Sequence, residues 1–141
     1  MVTIKVLIVD DDGGFRQRVK GLLASEPHME IVGEAADGEE GILKAQTLEP
    51  AVVLMDVRMP GLNGLEATRR IKDELPNVSI IILTMFDLEE YREAAITSGA
   101  SGFVVKKRLI EDLLPAIKDT LKESEPTQIT PTVETSLADG G

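Results

Sequence analysis

Three consecutive aspartates, Asp10, Asp11 and Asp12, follow the apolar run "VLIV" near the start of the chain. Carboxylates packed together resist ionising together unless a cation joins them. A hard divalent cation such as Mg²⁺ prefers oxygen ligands of this kind and keeps places for water and phosphate oxygens. The cluster therefore indicates a metal site in which not all three aspartates need take part.

Further reactive side chains follow other apolar runs: Asp56 after "AVVLM", Thr84 after "SIIIL" and Lys106 after "GFVV". An aspartate can be the nucleophile that forms an acyl phosphate, and a hydroxyl and an ammonium can donate to phosphoryl oxygens. Each residue alone also fits a turn, a strand end or a surface. Together they indicate phosphoryl transfer, which needs a nucleophile, a metal and such donors. Glu34 and Asp37 lie in "EAADG", at the end of another apolar run, and we expect both to be solvated.

The elements that must position these residues are short β-branched runs, alternating with stretches of helical spacing. The runs predict buried parallel strands at Thr3–Val9, Glu30–Ala35, Ala51–Met55, Ser79–Leu83 and Gly102–Val105. The apolar helical faces contain Phe15, Val19, Leu22 and Leu23; Ile42, Ala45 and Leu48; Leu65, Thr68 and Ile71; Tyr91, Ala94, Ala95 and Ser98; and Leu109, Leu113, Ile117 and Leu121. Five strand–helix units predict a doubly wound α/β fold whose ligands bind at the carboxyl ends of the strands.

The chain has 141 residues, which is typical of one domain. The formal net charge of −10 disfavours binding to nucleic acid or anionic membrane, and the absence of cysteine excludes disulfides and thiolate sites. The early acidic residues and the lack of a long apolar run predict a soluble, cytoplasmic protein. Because the helical pattern stops after Leu121, we predict a folded domain at 1–122 and a disordered tail or interdomain linker at 123–141.

The motifs "VLIVDDD", "VVLMDVRMPGLNGLEATRRI", "IIILT" and "SGASGFVVKK" resemble the receiver domain of two-component response regulators. The resemblance runs from about Thr3 to Leu121 and is strongest to receivers of the LuxR/FixJ (NarL-like) type. It implies a flavodoxin/CheY-like (βα)5 fold with a five-stranded parallel sheet in the order 2-1-3-4-5. It also implies a phosphorylated signalling protein whose only catalysis is its own phosphorylation and autodephosphorylation.

The resemblance assigns the metal-site roles. Asp56 is the expected phosphoacceptor and a ligand of Mg²⁺, which it shares with Asp10, Asp11 and the main-chain carbonyl of Arg58. Asp11 is expected to touch the ion directly, and Asp10 mainly through water. We expect Asp12 to start the first helix instead, where a carboxylate suits the helix N-terminus.

The other roles concern the phosphoryl group and the switch. Thr84 is the expected switch hydroxyl, Lys106 binds a phosphoryl oxygen, and Phe103 is the switch aromatic. Phe86 and Arg58, each two residues after a site residue, are expected to tune the lifetime of the phosphoryl group, with Phe86 as a shield that slows hydrolysis.

Two features depart from the common receiver pattern. Lys107 replaces the proline that often follows the active-site lysine, so the sequence leaves open how this loop is held. Gly13-Gly14 replaces a bulkier pair and predicts added loop freedom beside the metal site.

The resemblance also implies partners: a sensor histidine kinase or phosphotransfer protein as phosphodonor, and a second copy or a downstream protein, in transcription regulation, as target. The expected switch surface lies around the fourth helix, the fifth strand and the fifth helix, where Ala94, Ala95 and Ser98 would permit close packing. No helix-turn-helix follows Leu121, so we expect this chain alone to bind neither nucleic acid nor membrane.

Two alternatives remain open. "IVDDDGG" also fits the entry motif of haloacid-dehalogenase-type phosphatases, with Asp10 as nucleophile and Asp12 as general acid. Such enzymes need a further acidic pair downstream, where the only adjacent acidic residues are Glu111 and Asp112 in a predicted helix, and Asp56 would have no role. The second alternative is a pseudo-receiver that keeps the fold and acts only through protein contacts without phosphorylation.

Overall fold

The computed structural model describes residues 3–124, with side chains through Leu121. Within this range five strands alternate with five α-helices. The strands are β1 (Ile4–Val9), β2 (Met29–Ala35), β3 (Val52–Asp56), β4 (Ser79–Thr84) and β5 (Gly102–Val105). The helices are α1 (Gly13–Leu23), α2 (Gly38–Leu48), α3 (Gly64–Glu74), α4 (Glu89–Ser98) and α5 (Leu109–Ser124). Every strand boundary lies within one residue of the run that predicted it.

The five strands form one parallel sheet in the order β2-β1-β3-β4-β5, which confirms the predicted fold and strand order. The order reverses between β1 and β3, because the chain first builds outward to β2 and then returns to the other side of β1. Such a reversal opens a crevice at the carboxyl ends of the two strands, where ligands bind in this class of fold. Asp10 directly follows β1 and Asp56 ends β3, so both lie at this crevice.

The sheet has a buried core on each face. Along β1, Val6 and Ile8 contribute to the core under α1 and α5, while Leu7 and Val9 contribute to the core under α2, α3 and α4. All four side chains are completely buried. Burial on both faces explains why the strands are continuous apolar runs, and the layers form a rigid frame for the crevice.

Helix α1 begins at Gly13, so Gly13 and Gly14 belong to its first turn. A carboxylate oxygen of Asp12 accepts hydrogen bonds from the amides of Gly14 at 2.9 Å and Phe15 at 3.2 Å. The predicted helix-starting role of Asp12 is confirmed. The prediction of added loop freedom at the two glycines is wrong, because this cap orders them.

The loop after β5 needs no proline to be held. Lys106–Arg108 form a 3₁₀ turn, closed by a hydrogen bond from the Leu109 amide to the Lys106 carbonyl. The described residues contain no cis peptide bond, so the Lys106–Lys107 bond is trans.

Helix α5 extends to Ser124, two residues into the segment predicted as tail or linker. The rest of that predicted segment, 125–141, lies outside the described residues. Across residues 3–124, no helix combines the length and the hydropathy needed to cross a membrane.

Candidate functional site

Three carboxylates meet at the crevice between β1 and β3. Oxygen atoms of Asp10, Asp11 and Asp56 all lie within 4.8 Å of one another. Asp10 is completely buried, Asp56 is 5% exposed, and Asp11 is open to solvent. The structure thus brings together the three aspartates that the sequence selects and leaves one of them accessible from outside.

Asp10 is held at four points. Its amide donates to the Ala35 carbonyl at 2.9 Å, and its carbonyl accepts from the Arg16 guanidinium at 2.5 Å. Its carboxylate accepts from the Asp12 amide at 2.9 Å and from the Lys106 ammonium at 2.7 Å. A carboxylate that is buried and bonded on both oxygens is poorly placed to attack a substrate. The geometry therefore does not support a phosphatase with Asp10 as nucleophile, and the capping Asp12 is not free to act as its acid.

Two ion pairs between α1 and β2, which the sequence does not reveal, hold the Arg16 side chain that donates to the Asp10 carbonyl. Arg16 and Lys20, one turn apart on α1, each contact a different carboxylate oxygen of Glu34 at 2.8 Å. The hydrogen bond from Lys20, followed by that from Arg16, lowers the pKa of Glu34. Asp37 caps α2 by accepting from the Glu40 amide at 2.8 Å. Glu34 and Asp37 are both partly exposed, as the expectation that they are solvated requires, but both are also bonded within the chain.

The negative charge of Asp56 is disfavoured by its surroundings. Burial raises its pKa from 3.8 to about 6, with a further contribution from the Asp10 carboxylate, while Lys106 acts in the opposite direction. The ammonium of Lys106 contacts two of the three carboxylates in the cluster and cannot balance the charge of all three. A divalent cation with oxygen ligands would balance this charge, so the donor set fits the Mg²⁺ that the sequence predicts.

Lys106 and Thr84 approach the cluster from neighbouring strands. The Lys106 ammonium lies 3.3 Å from an Asp56 oxygen and 4.2 Å from the centroid of the Phe15 ring, and the side chain is almost fully buried. Thr84 is 3% exposed and follows Leu83, the partner of Asp56 in the register of β3 and β4. Lys107 is exposed, as the sequence predicts. The crevice thus holds carboxylates, an ammonium and a hydroxyl at adjacent strand ends.

Residues 6–118 match the sequence profile described as "Response regulator receiver domain". The chain belongs to the response regulator receiver family. It is 38% identical over 115 residues to the transcriptional regulatory protein DegU of Brevibacillus brevis, covering 82% of this chain and 49% of DegU. The chain spans about half the length of the curated relatives it matches.

Solved structures support the assignment. A LuxR-family two-component response regulator from Aurantimonas sp. SI85-9A1 is 33% identical, with a TM-score of 0.82 and coverage of 86% of both chains. A CheX–CheY–BeF3⁻–Mg²⁺ complex from Borrelia burgdorferi matches at 25% identity and a TM-score of 0.80, covering 85% of this chain and 90% of the matched one. This receiver is similar to LuxR/NarL-type regulators, as its motifs predict.

In this receiver the Thr84 hydroxyl accepts a hydrogen bond from the Phe86 amide at 3.2 Å. The predicted switch aromatic, Phe103, is half-buried in β5. It lies two positions before Val105, which is the partner of Thr84 in the register of β4 and β5. The Arg92 guanidinium lies 4.5 Å from the centroid of its ring. The structure therefore places Phe103 beside α4, and its switch role stays a prediction.

Arg58 and Phe86, which the sequence selects separately, contact each other in the receiver. The Arg58 guanidinium lies 5.4 Å from the centroid of the Phe86 ring, a cation–π distance. Both side chains are exposed. The role of the Arg58 carbonyl as a metal ligand stays a prediction.

The segment "MPGLNG" brings α3 against the end of β3. Asn63 caps α3 by accepting from the amides of Leu65 at 2.8 Å and Glu66 at 3.0 Å. Gly64 donates to the Val57 carbonyl at 2.9 Å, and a Cβ at this glycine would lie 1.9 Å from the Asp56 carbonyl oxygen. Only glycine permits this close approach, so the motif supports the backbone of Asp56.

Proposed function

We propose that this receiver accepts a phosphoryl group on Asp56 from a phosphohistidine of a sensor histidine kinase or phosphotransfer protein. One observation carries the proposal: the Asp56 carboxylate shares a cluster with Asp10 and Asp11 and lies 3.3 Å from the Lys106 ammonium. An Asp56 oxygen attacks phosphorus, the N–P bond of the donor breaks, and the imidazole nitrogen keeps the electron pair. The product is an acyl phosphate, which water later hydrolyses to aspartate and inorganic phosphate.

Asp10, Asp11, Asp56 and the Arg58 carbonyl would hold the magnesium ion. When bound, Mg²⁺ neutralises the charge that the carboxylates and the incoming phosphoryl oxygens share. The BeF3⁻ and Mg²⁺ in the related CheY complex support this ligand chemistry for the fold. Asp11 is the accessible member of the cluster and suits direct contact with the ion, whereas the Asp10 carboxylate is already bonded on both oxygens.

Lys106 and Thr84 are the proposed donors to the phosphoryl oxygens. The Lys106 ammonium moves from its carboxylate partners toward the new dianion, and the Thr84 hydroxyl turns from the Phe86 amide to donate to it. Phe86 and Arg58 cover the edge of the site and slow the entry of water. Phe103 then follows Thr84 and alters the surface around α4, β5 and α5.

The proposed switch surface differs in detail from the sequence prediction. Ala95 and Ser98 are buried inside the receiver, so they cannot provide close packing to a partner. Ile96 is instead 73% exposed on α4 and borders a cavity of about 310 Å³ between α4 and β5. We propose that a second phosphorylated copy or a downstream protein binds here.

We place the receiver in a cytoplasmic pathway of transcription regulation, because its relatives include a transcriptional regulatory protein. Its catalysis is limited to its own phosphorylation and autodephosphorylation. The net charge of −10 predicts that this chain by itself does not bind DNA.

The proposal is tested by incubating the protein with Mg²⁺ and acetyl phosphate and measuring its intact mass. We expect an increment of one phosphoryl group that disappears in Asp56→Ala and persists in Asp119→Ala, an exposed control on α5. An unmodified wild-type mass, with both the small donor and a phosphorylated histidine donor, would leave the pseudo-receiver as the better description. Phosphate release lost in Asp10→Asn but kept in Asp56→Asn would favour the phosphatase.

A further inference from the structure

We infer that Tyr91 is a positioning residue of the phosphoryl site: it holds the Phe86 ring in place and thereby links the lifetime of the phosphoryl group to helix α4. This inference rests on the proposed role of Asp56 as phosphoacceptor. Tyr91 lies in the first turns of α4, outside the set of site residues that the sequence predicts.

Side chains from the loops after β3 and β4 and from α4 form a chain of contacts, which we call the Arg58–Phe86–Tyr91 stack. The centroids of the Phe86 and Tyr91 rings are 6.4 Å apart, and the ring planes differ by 21°. This geometry lies within the range of favourable aromatic pairs. The Arg58 guanidinium contacts the same Phe86 ring at 5.4 Å from its centroid.

The contact between Arg58 and Phe86 lies next to the site because these two residues follow neighbouring strand ends. Arg58 is two residues past Asp56, and Phe86 is two residues past Thr84. The ends of β3 and β4 are joined by register and by a hydrogen bond from the Val57 amide to the Leu83 carbonyl at 3.3 Å. The contact between Arg58 and Phe86 therefore spans the gap between the two loops directly beyond the acceptor.

The segment that carries Phe86 is exposed, and the Arg92 guanidinium on α4 contacts its Asp87 carboxylate at 2.9 Å. The side chains of Met85 and Leu88 are 66% and 43% exposed, and Phe86 itself is 43% exposed. Leu88 occupies the N-cap position of α4 without a side-chain capping bond. Phe86 is held by the bond from its amide to Thr84 and by the contacts of its ring with Arg58 and Tyr91, and the next residue, Asp87, is paired with Arg92.

Phosphorylation makes the aromatic contact more important. When the Thr84 hydroxyl turns to the phosphoryl group, it gives up the bond to the Phe86 amide. The Phe86 ring then depends more strongly on its contacts with Tyr91 and Arg58. Because coupling between two sites is reciprocal, a change at Tyr91 alters the phosphoryl site, and phosphorylation alters the surroundings of Tyr91.

The lifetime experiment uses the full chain, phosphorylated by acetyl phosphate with Mg²⁺, and follows loss of the phosphoryl group by intact mass. We expect Tyr91→Leu to lose it about two- to twelvefold faster than the wild type, the range that corresponds to one aromatic pair. Tyr91→Phe keeps the ring and should restore the wild-type rate. Glu93→Ala, a change at another exposed position on the same helix and outside the proposed partner surface, is the control and should leave the rate unchanged.

The double variant Phe86→Ala/Tyr91→Leu tests whether Tyr91 acts through Phe86. If it does, the double variant loses the phosphoryl group at the rate of Phe86→Ala alone, because the contact is already absent. Multiplied single effects would overturn the inference, and so would a wild-type rate in Tyr91→Leu.

A spectroscopic measurement reports the stack directly, because Tyr91 is the only tyrosine of the chain and tryptophan is absent. We expect the near-ultraviolet circular dichroism of tyrosine to change on phosphorylation, and to differ from the wild type in unphosphorylated Phe86→Ala. If the spectrum of Phe86→Ala is identical to that of the wild type, the proposed contact between Phe86 and Tyr91 is wrong, even where phosphorylation proceeds normally. Failure of the wild type to gain mass instead overturns the proposed function, and with it the role of Tyr91.

Discussion

The Lys106 ammonium contacts Asp10 more closely than Asp56, at 2.7 Å against 3.3 Å. Asp10 also accepts from the Asp12 amide and is completely buried. The shorter contact and the second donor satisfy both carboxylate oxygens of Asp10 inside the protein. Asp56 contacts the same ammonium at the longer distance and has a pKa raised to about 6, so a bound cation or a phosphoryl group would relieve the cost of its charge.

Asp11 is a proposed metal ligand, whereas Asp12 caps α1, so substitutions at the two positions should have different effects on Mg²⁺ binding. Asp11→Asn should weaken Mg²⁺ binding at least about tenfold, because it removes a charged ligand from the cluster. Asp12→Asn should weaken binding less than about threefold, since Asn caps a helix as well as Asp and the lost charge is exposed to solvent. Isothermal titration with Mg²⁺ measures both affinities. Equal losses in the two variants would contradict this division.

At the scale of elements, the start of α3 determines where the end of β3 can lie. Gly64 is the first residue of α3, and its position against the Asp56 carbonyl leaves no room for a side chain. Asn63 directs the helix there by satisfying two of its free amides. The element therefore acts on the site through backbone packing rather than through a reactive group.

Substitution of Gly64 tests this backbone contact. Gly64→Ala should destabilise the fold by about 1–3 kcal/mol or more, because the added carbon must displace the Asp56 backbone or the helix. It should also weaken Mg²⁺ binding, since the Asp56 carboxylate moves with its backbone. Denaturant unfolding and a Mg²⁺ titration measure the two effects.

Gly21 provides the matched control. It lies inside α1, and a Cβ there would have no atom within 4 Å. Gly21→Ala should therefore raise stability by up to about 1 kcal/mol through its better helix propensity and leave Mg²⁺ binding unchanged. If Gly64→Ala proves as stable as the wild type, the close approach of α3 to Asp56 is wrong.

At the scale of the whole molecule, the acidic crevice lowers the stability of the metal-free fold. In the absence of metal, the folded state holds a proton on Asp56 up to about pH 6, whereas the ordinary pKa of the group is 3.8. The folded state thus binds more protons than the unfolded state between these values. The stability associated with a protonated Asp56 is complete below about pH 4 and is lost as the pH rises through about 6.

Asp56→Asn removes this ionisation and should stabilise the metal-free protein. The gain should reach about 3 kcal/mol at most above pH 7 and should disappear toward pH 4. Urea unfolding in EDTA across this pH range measures it, with the exposed Asp73→Asn as a control that should show no such trend. A gain that is constant with pH would contradict the raised pKa of Asp56. Added Mg²⁺ should stabilise the wild type and reduce the difference between the two proteins.

The order of elements and the chemistry of the crevice could be predicted from the sequence. Continuous apolar runs predicted every strand to within one residue, and a period of 3.6 residues indicated the helices, because both patterns depend only on which side chains must be buried. In a parallel sheet the carboxyl ends of strands share one edge, so the residues that follow the apolar runs necessarily meet there. Asp10, Asp56, Thr84 and Lys106 could be found in this way without coordinates.

Contacts between elements could be known only from the tertiary structure. Glu34 is paired with α1, Ala95 and Ser98 are buried rather than available to a partner, and the Phe86 ring contacts both Arg58 and Tyr91. Periodicity shows which face of an element is apolar, but not which residue of another element it meets. That depends on how the helices are rotated and placed on the twisted sheet, which is decided by packing of the whole core.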